Sequence, residues 1–235
     1  MHKNKIKELF YKNKDYSKIK ELLQNSNESW SFNLLGKIAL YEKEPELAYD
    51  YFNKAGNICA CSYVRFLQGN IEEARILLLL IKETSPVTKW LMFLINFLYD
   101  NKFQEPTYFQ IRNFYEQDLE MMFLYEQSKI INELLKRNNF LSNYNREIYK
   151  YSARVLHNNE YTEQAKILLK KSLEICYKDP ETHFLMGEIY EKTREIDNAK
   201  LAYQKALDAC PDYMPAKLKI NNLSNWLYNL YYRVK

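Results

Sequence analysis

Lys150, Tyr151 and Arg154 bring two cations and a hydroxyl together within five residues. Positions four apart share a helix face, so Lys150 and Arg154 could jointly hold a carboxylate. These three residues form a candidate groove. One repeat further on, the corresponding positions are Phe184, Leu185 and Glu188, which offer no amide and add a negative charge. A complete clamp for an acidic tail is therefore not expected. The histidines His2, His157 and His183 are scattered; His183 reads as a core side chain, and His157 falls near a helix C-terminus, where positive charge is favoured. Cys59, Cys61, Cys176 and Cys210 lack metal-ligand spacing and read as reduced, packed thiols. Glu188 and Glu191 read as a solvated helix face. With no Gly-rich phosphate loop and no nucleophile elbow, neither a catalytic residue, a metal nor a cofactor is expected.

Long helices with short connections are the elements that would carry these side chains. The 235 residues include only 4 Gly and 6 Pro, too little punctuation for a turn-rich sheet protein. Hydrophobic residues make up 47% and charged ones 27%, which excludes a disordered chain. Tyrosine is enriched, with 21 copies, and suits surfaces that are half core and half interface. The net charge of +4 is carried by the Lys-rich first 20 residues. With Ile6, Leu9 and Phe10 as its apolar stripe, that segment reads as a solvated helix face, so nucleic acid is not an expected partner. No signal peptide is visible, and the apolar runs 76–81 and 90–98 are shorter than the ~20 residues that span a bilayer. The expected location is nucleus or cytoplasm, with no membrane contact.

A repeat organises the second half. Ala153, Leu156, Ala165, Leu169 and Ser172 recur 34 residues later as Gly187, Tyr190, Ala199, Tyr203 and Ala206. Thirty-four is the period of the tetratricopeptide repeat (TPR), a helical hairpin that buries its apolar face only by stacking on neighbours. Small residues let the two helices approach, and large ones fill the gaps beside them. Gly36, Ala48, Phe52 and Ala74 show the same grammar earlier, but Ala48 to Ala74 is a clipped step of 26 residues. The expected fold is all-α, an α-solenoid of TPR-like hairpins in a single domain, 1–235. Residues 1–86 form short N-terminal repeats, 87–145 irregular helical repeats or an insertion, 146–211 two regular repeats and 212–235 a capping helix. Leu218, Leu223, Trp226, Leu227 and Leu230 supply the capping stripe.

Residues 183–220 carry a narrower likeness. Gly187, Tyr190, the turn Lys192-Thr193-x-Glu195 with Arg194 between, Ala199, Tyr203, Ala206 and Pro211 resemble the TPR sentence of the third cell-division-cycle subunit family of the anaphase-promoting complex, a ubiquitin ligase of the cell cycle. Tyr16, Leu22, Leu34, Gly36, Ala48, Tyr49, Phe52, Cys61, Tyr63, Gly69 and Glu72 follow the same order near the N-terminus, whereas 87–145 match poorly. The resemblance implies a non-enzymatic scaffold that forms a homodimer and contacts other subunits of that complex. The family's tail-binding second array is not present in this chain, so that activity is not carried over.

Ile6, Leu9, Phe10, Tyr11, Trp30 and Phe32 are the expected dimer-interface residues, an aromatic set suited to insertion into a twofold mate. A different reading is a monomeric TPR adaptor that binds peptide segments. A third uses Lys3–Lys20 to bind RNA or acidic tails.

Overall fold

A computed structural model describes residues 5–6, 8–99 and 102–224, and among these every regular element is helical. A π-helical turn, Leu9–Asn13, leads into α1 (Tyr16–Leu23). Then come α2 (Ser29–Tyr41), α3 (Pro45–Lys54), α4 (Ile58–Leu67), α5 (Ile71–Leu79) and α6 (Pro86–Tyr99). The short α7 (Tyr108–Gln110) passes through a second π-helical turn, Ile111–Tyr115, into α8 (Glu116–Leu124). The remaining helices are α9 (Ser128–Lys136), α10 (Asn138–Leu141), α11 (Ile148–Asn158), α12 (Thr162–Ile175), α13 (Pro180–Lys192), α14 (Ile196–Ala209) and α15 (Met214–Ser224). The architecture is all-α and TPR-like. Two compact units are formed, one from Met1–Pro106 and Met121–Ile131, the other from Thr107–Glu120 and Asn132–Lys235. No described helix is long and apolar enough to cross a membrane.

Hairpins α2–α3, α4–α5, α8–α9, α11–α12 and α13–α14 close in the same way. Each turn contains a left-handed residue: Lys43 at φ 61°, Gly69 at 80°, Glu126 at 56°, Glu160 at 71° and Arg194 at 64°. The next N–H then donates to a carbonyl five residues back, as Glu44 to Ala39 (2.8 Å), Asn70 to Arg65 (2.9 Å), Gln127 to Met122 (2.9 Å), Tyr161 to Leu156 (2.8 Å) and Glu195 to Tyr190 (2.8 Å). These bonds satisfy carbonyls that a helix end would otherwise leave open.

Residues 126, 160 and 194 are 34 apart, so the backbone period continues into the segment where the sequence pattern loses it. The physical reason lies at two positions. One period before Ala153 and Ala165 stand Leu119 and Ile131, large residues where the pattern needs small ones, and both are buried. The π turn 111–115 also inserts an extra residue per turn and shifts the helical phase upstream of them.

In the first unit, Ile6, Leu9 and Phe10 pack with Ile19, Leu23, Leu35 and Ile38. This corrects the expectation for three of the interface residues. The π turn and α1 bury these side chains in the chain's own core, so they present no free apolar surface. Trp30 and Phe32 lie half-buried against the same cluster, and Tyr11 alone of the six is largely exposed.

The small-on-large grammar is realised twice with the same 16-residue offset. Gly36 lies under the Phe52 ring and Gly187 under Tyr203. Ala48, Ala74, Ala153, Ala165, Ala199 and Ala206 are all buried, and Tyr190 packs half-buried against the cluster of Ala199, Tyr203 and Ala206. On α15 Leu223 is buried, but Leu218 is exposed and therefore not part of a capping stripe; Trp226, Leu227 and Leu230 lie outside the described residues.

Candidate functional site

The groove residues converge in the second unit. α11 projects Lys150 and Arg154 from one face, as the four-residue spacing requires. Both meet carboxylates of their own chain. Lys150 Nζ lies 3.0 Å from Asp179, 2.9 Å from Glu181 and 3.7 Å from Glu147, and its side chain is only 4% exposed. Arg154 donates through Nη1 to both oxygens of Glu116 at 2.8 Å and through Nη2 to Glu181. Tyr151 donates its hydroxyl to Glu147 at 2.7 Å. Helices α8, α11 and α13 are thereby tied through one cationic pair.

Burial disfavours the Lys150 charge, but Glu181 and Asp179 outweigh it and hold the ammonium above its usual range. Arg154 behaves in the same way beside Glu116. Asp179 is half-buried, which disfavours its charge, yet the Thr182 hydroxyl at 2.6 Å and Lys150 keep its carboxyl below the usual value. Asp179 is also the N-cap of α13, where it accepts from the Glu181 N–H, with Pro180 occupying the first turn. The two cations are thus already neutralised and do not wait for an acidic ligand.

The partners that complete this network, Glu116, Asp179 and Glu181, are not marked by the sequence pattern. Glu181 is legible in principle, since it lies one period beyond Glu147. Glu116 sits in the segment whose side-chain types hide the period.

Deeper in the second unit, Tyr115 is fully buried and shares its hydroxyl with Asn138 (2.8 Å) and Ser152 (2.7 Å), while Asn138 also donates to Ser152 at 2.8 Å. Asn138 stands one period before the buried Ser172, which meets Thr182, and two before Ala206, so the polar triad occupies a position that is apolar only in the last hairpin. Buried polar groups satisfied in this way fix one packing arrangement.

In the first unit Arg65 plays the bridging part. Its guanidinium lies 4.0 Å over the Tyr49 ring, 2.9 Å from Glu46 and 3.0 Å from Glu73, linking α3, α4 and α5.

His183 is buried, with Nε2 2.8 Å from the Tyr177 carbonyl, so it is a packed core histidine. His157 reverses its expectation. Burial, followed by nearby Lys192, lowers its pKa, so the neutral ring is favoured and the helix-end preference is overruled. All four cysteines are thiols, Cys61 buried and the rest half-buried. Among the described residues no group of three or more His, Cys, Asp or Glu could hold a metal ion.

Residues 180–213, which cover α13, α14 and the loop that follows, match the tetratricopeptide-repeat family model. No curated protein matches the chain. Among solved structures it is similar to YrrB, described as a TPR protein with an unusual peptide-binding site, at 14% identity over 86% of this chain and 96% of that one, with a TM-score of 0.37. It is also similar to a chain of the APC/C hetero-tetramer Cut9–Hcn1, at 13% identity over 94% of this chain, with a TM-score of 0.38. The present chain spans 40% of that second protein's length.

Proposed function

We propose that the chain is a non-enzymatic scaffold that works by binding other proteins through its TPR-like hairpins. The observation that carries this reading is the use made of its charged side chains. Arg154 and Arg65 each bridge three helices, and Lys150 ties α11 to the start of α13. These links stiffen the hairpins and leave helix faces as the surfaces on offer.

Within that role the chain is read as the homodimerisation module of an anaphase-promoting-complex TPR subunit, working beside other subunits in the nucleus or cytoplasm. The likeness of residues 183–220 and of the order from Tyr16 to Glu72 supports it. The most exposed large apolar side chains of the first unit include Tyr11 near its start and Ile76, Leu79 and Leu80, at and just beyond the end of α5. Exposed apolar surface of this kind marks an interaction site. Light scattering at micromolar concentration should give twice the 28.4 kDa chain mass, and Leu79→Glu with Leu80→Glu should reduce it to one. A single-chain mass for the parent protein refutes the dimer.

The alternative is a monomeric adaptor for peptide segments of partner proteins. It is favoured by a half-buried face of aromatic rings and carboxylates in the second unit.

A further inference from the structure

We infer that Ser85, in the connection between α5 and α6, is a phosphorylation site for a proline-directed Ser/Thr kinase, and that its phosphate switches the exposed apolar surface beside it. The site stands on the geometry of the connection, whereas the switch rests on the dimer reading.

The hydroxyl is open to an enzyme. Residues 80–85 form no helix, and Lys82, Glu83, Thr84, Ser85 and Pro86 are all exposed. The six prolines follow Glu44, Ser85, Glu105, Asp179, Cys210 and Met214, so Ser85 is the one Ser or Thr that precedes a proline. That proline acts in two ways. It disfavours helical backbone at Ser85, which leaves the acceptor in the extended form that enters a kinase cleft. It also lacks an N–H and so fits an apolar pocket without an acceptor, where any other residue would bury an unpaired donor. In the transfer, the γ-phosphoryl group of ATP moves to Ser85 Oγ. Its bond to ADP breaks, and the hydroxyl proton passes to the kinase's catalytic carboxylate.

The surroundings suit the product. Ser85 Oγ accepts from the Thr88 N–H at 3.1 Å and lies 2.9 Å from the Thr88 hydroxyl, at the start of the 14-residue α6. A phosphate there meets the same donors and the positive end of the helix dipole. Lys82 lies three residues before Ser85 and Lys89 one helical turn after it. Both are exposed, and among the described residues neither forms an ion pair with a carboxylate. Glu83 is the one carboxylate in the connection, so the cations are in excess.

Leu79 and Leu80, 81% and 59% exposed, come just before the connection, and Val87, 50% exposed, just after it. A dianion between them must lose its water whenever an apolar partner surface covers these side chains. Phosphorylation therefore opposes the pairing that the two leucines support.

Treatment of the purified chain with a MAP kinase and ATP, read by intact mass and peptide mapping, tests the site. One phosphoryl group should be added, on Ser85. Pro86→Ala should slow incorporation about tenfold, the cost of one buried unpaired N–H. Ser85→Asn keeps a capping side chain and should take up none. Phosphorus NMR should place the second ionisation of the phosphate below its ordinary value of about 6, because the Thr88 N–H and the two lysines favour the dianion. Lys89→Gln should move that ionisation back up. No incorporation, incorporation at another residue, or an ionisation at or above the ordinary value overturns the site. Light scattering on the same samples tests the switch, and the mass should fall from two chains to one on phosphorylation. A phosphorylated chain that keeps the double mass overturns the switch and leaves the dimer reading standing. A single-chain mass before treatment refutes the dimer and the switch together, while phosphorylation of Ser85 still upholds the site.

Discussion

Gly187→Ala is the smallest change that tests how these hairpins are packed. An ideal Cβ at this position would stand 2.5 Å from Tyr203 Cδ1 and 2.9 Å from Cζ. Carbon atoms settle at about 3.5–4.0 Å, so the ring would have to retreat by roughly 1 Å. Tyr203 has little freedom to do so. It is 0% exposed, lies 5.5 Å from the Phe184 ring and donates its hydroxyl to Glu191 at 2.8 Å. Overpacking of this kind costs about 1–3 kcal/mol, and the gain in helix propensity from Gly to Ala returns about 1. A net loss of up to about 2 kcal/mol remains, or up to roughly 8 °C in melting temperature. Thermal and urea unfolding followed by far-UV circular dichroism measure it. The discriminating experiment repeats the change in a Tyr203→Leu background. There the clash is gone and only propensity remains, so Gly187→Ala should stabilise by about 1 kcal/mol, a reversal of sign. Stabilisation by Gly187→Ala in the parent background would refute the close approach of the two helices.

Lys150→Met leaves Asp179 and Glu181 without their shared cation and should cost about 3 kcal/mol, the low end for a broken buried pair because Glu181 is 41% exposed; chemical denaturation measures it. Glu195 accepts from Lys166, Thr193 and Asn198, which lower its carboxyl from 4.5 to about 2. The unfolded chain binds the proton more readily between those values, so this stabilisation is complete above about pH 4.5 and is lost as the pH falls towards 2. Denaturation midpoints across that range should slope less in Glu195→Gln. Leu9→Glu with Phe10→Glu places two charges in the first unit's own core and should unfold its N-terminal part, read as lost helicity; full helicity in that variant would contradict the packing of Ile6, Leu9 and Phe10 against α1 and α2.

The hairpin at 108–136 shows where the sequence stops being readable. The TPR pattern is detected through small residues at the helix crossings, and Leu119 and Ile131 replace them. Both side chains are accommodated, so the turn at Glu126 keeps the period that the side-chain types conceal. The N-terminal stripe is legible as amphipathic, but its direction is not. Apolar spacing on a helix states that one face will be buried, and does not state whether the same chain or another buries it. Lys150 and Arg154 illustrate the same limit for charge. Their spacing places them on one face, but only the approach of α8 and α13 decides that Glu116, Asp179 and Glu181 reach them first.

The sequence by itself determined what local periodicity and close approach can encode: helices, the 34-residue period, and Gly36 and Gly187 beneath large rings. Tertiary structure alone decided which charges are spent within the chain and which remain on offer. The physical reason is range. Helical spacing acts over three or four residues, whereas the fate of a charge depends on the opposite charges near it in space, which for Arg154 lie 27 and 38 residues away in the chain.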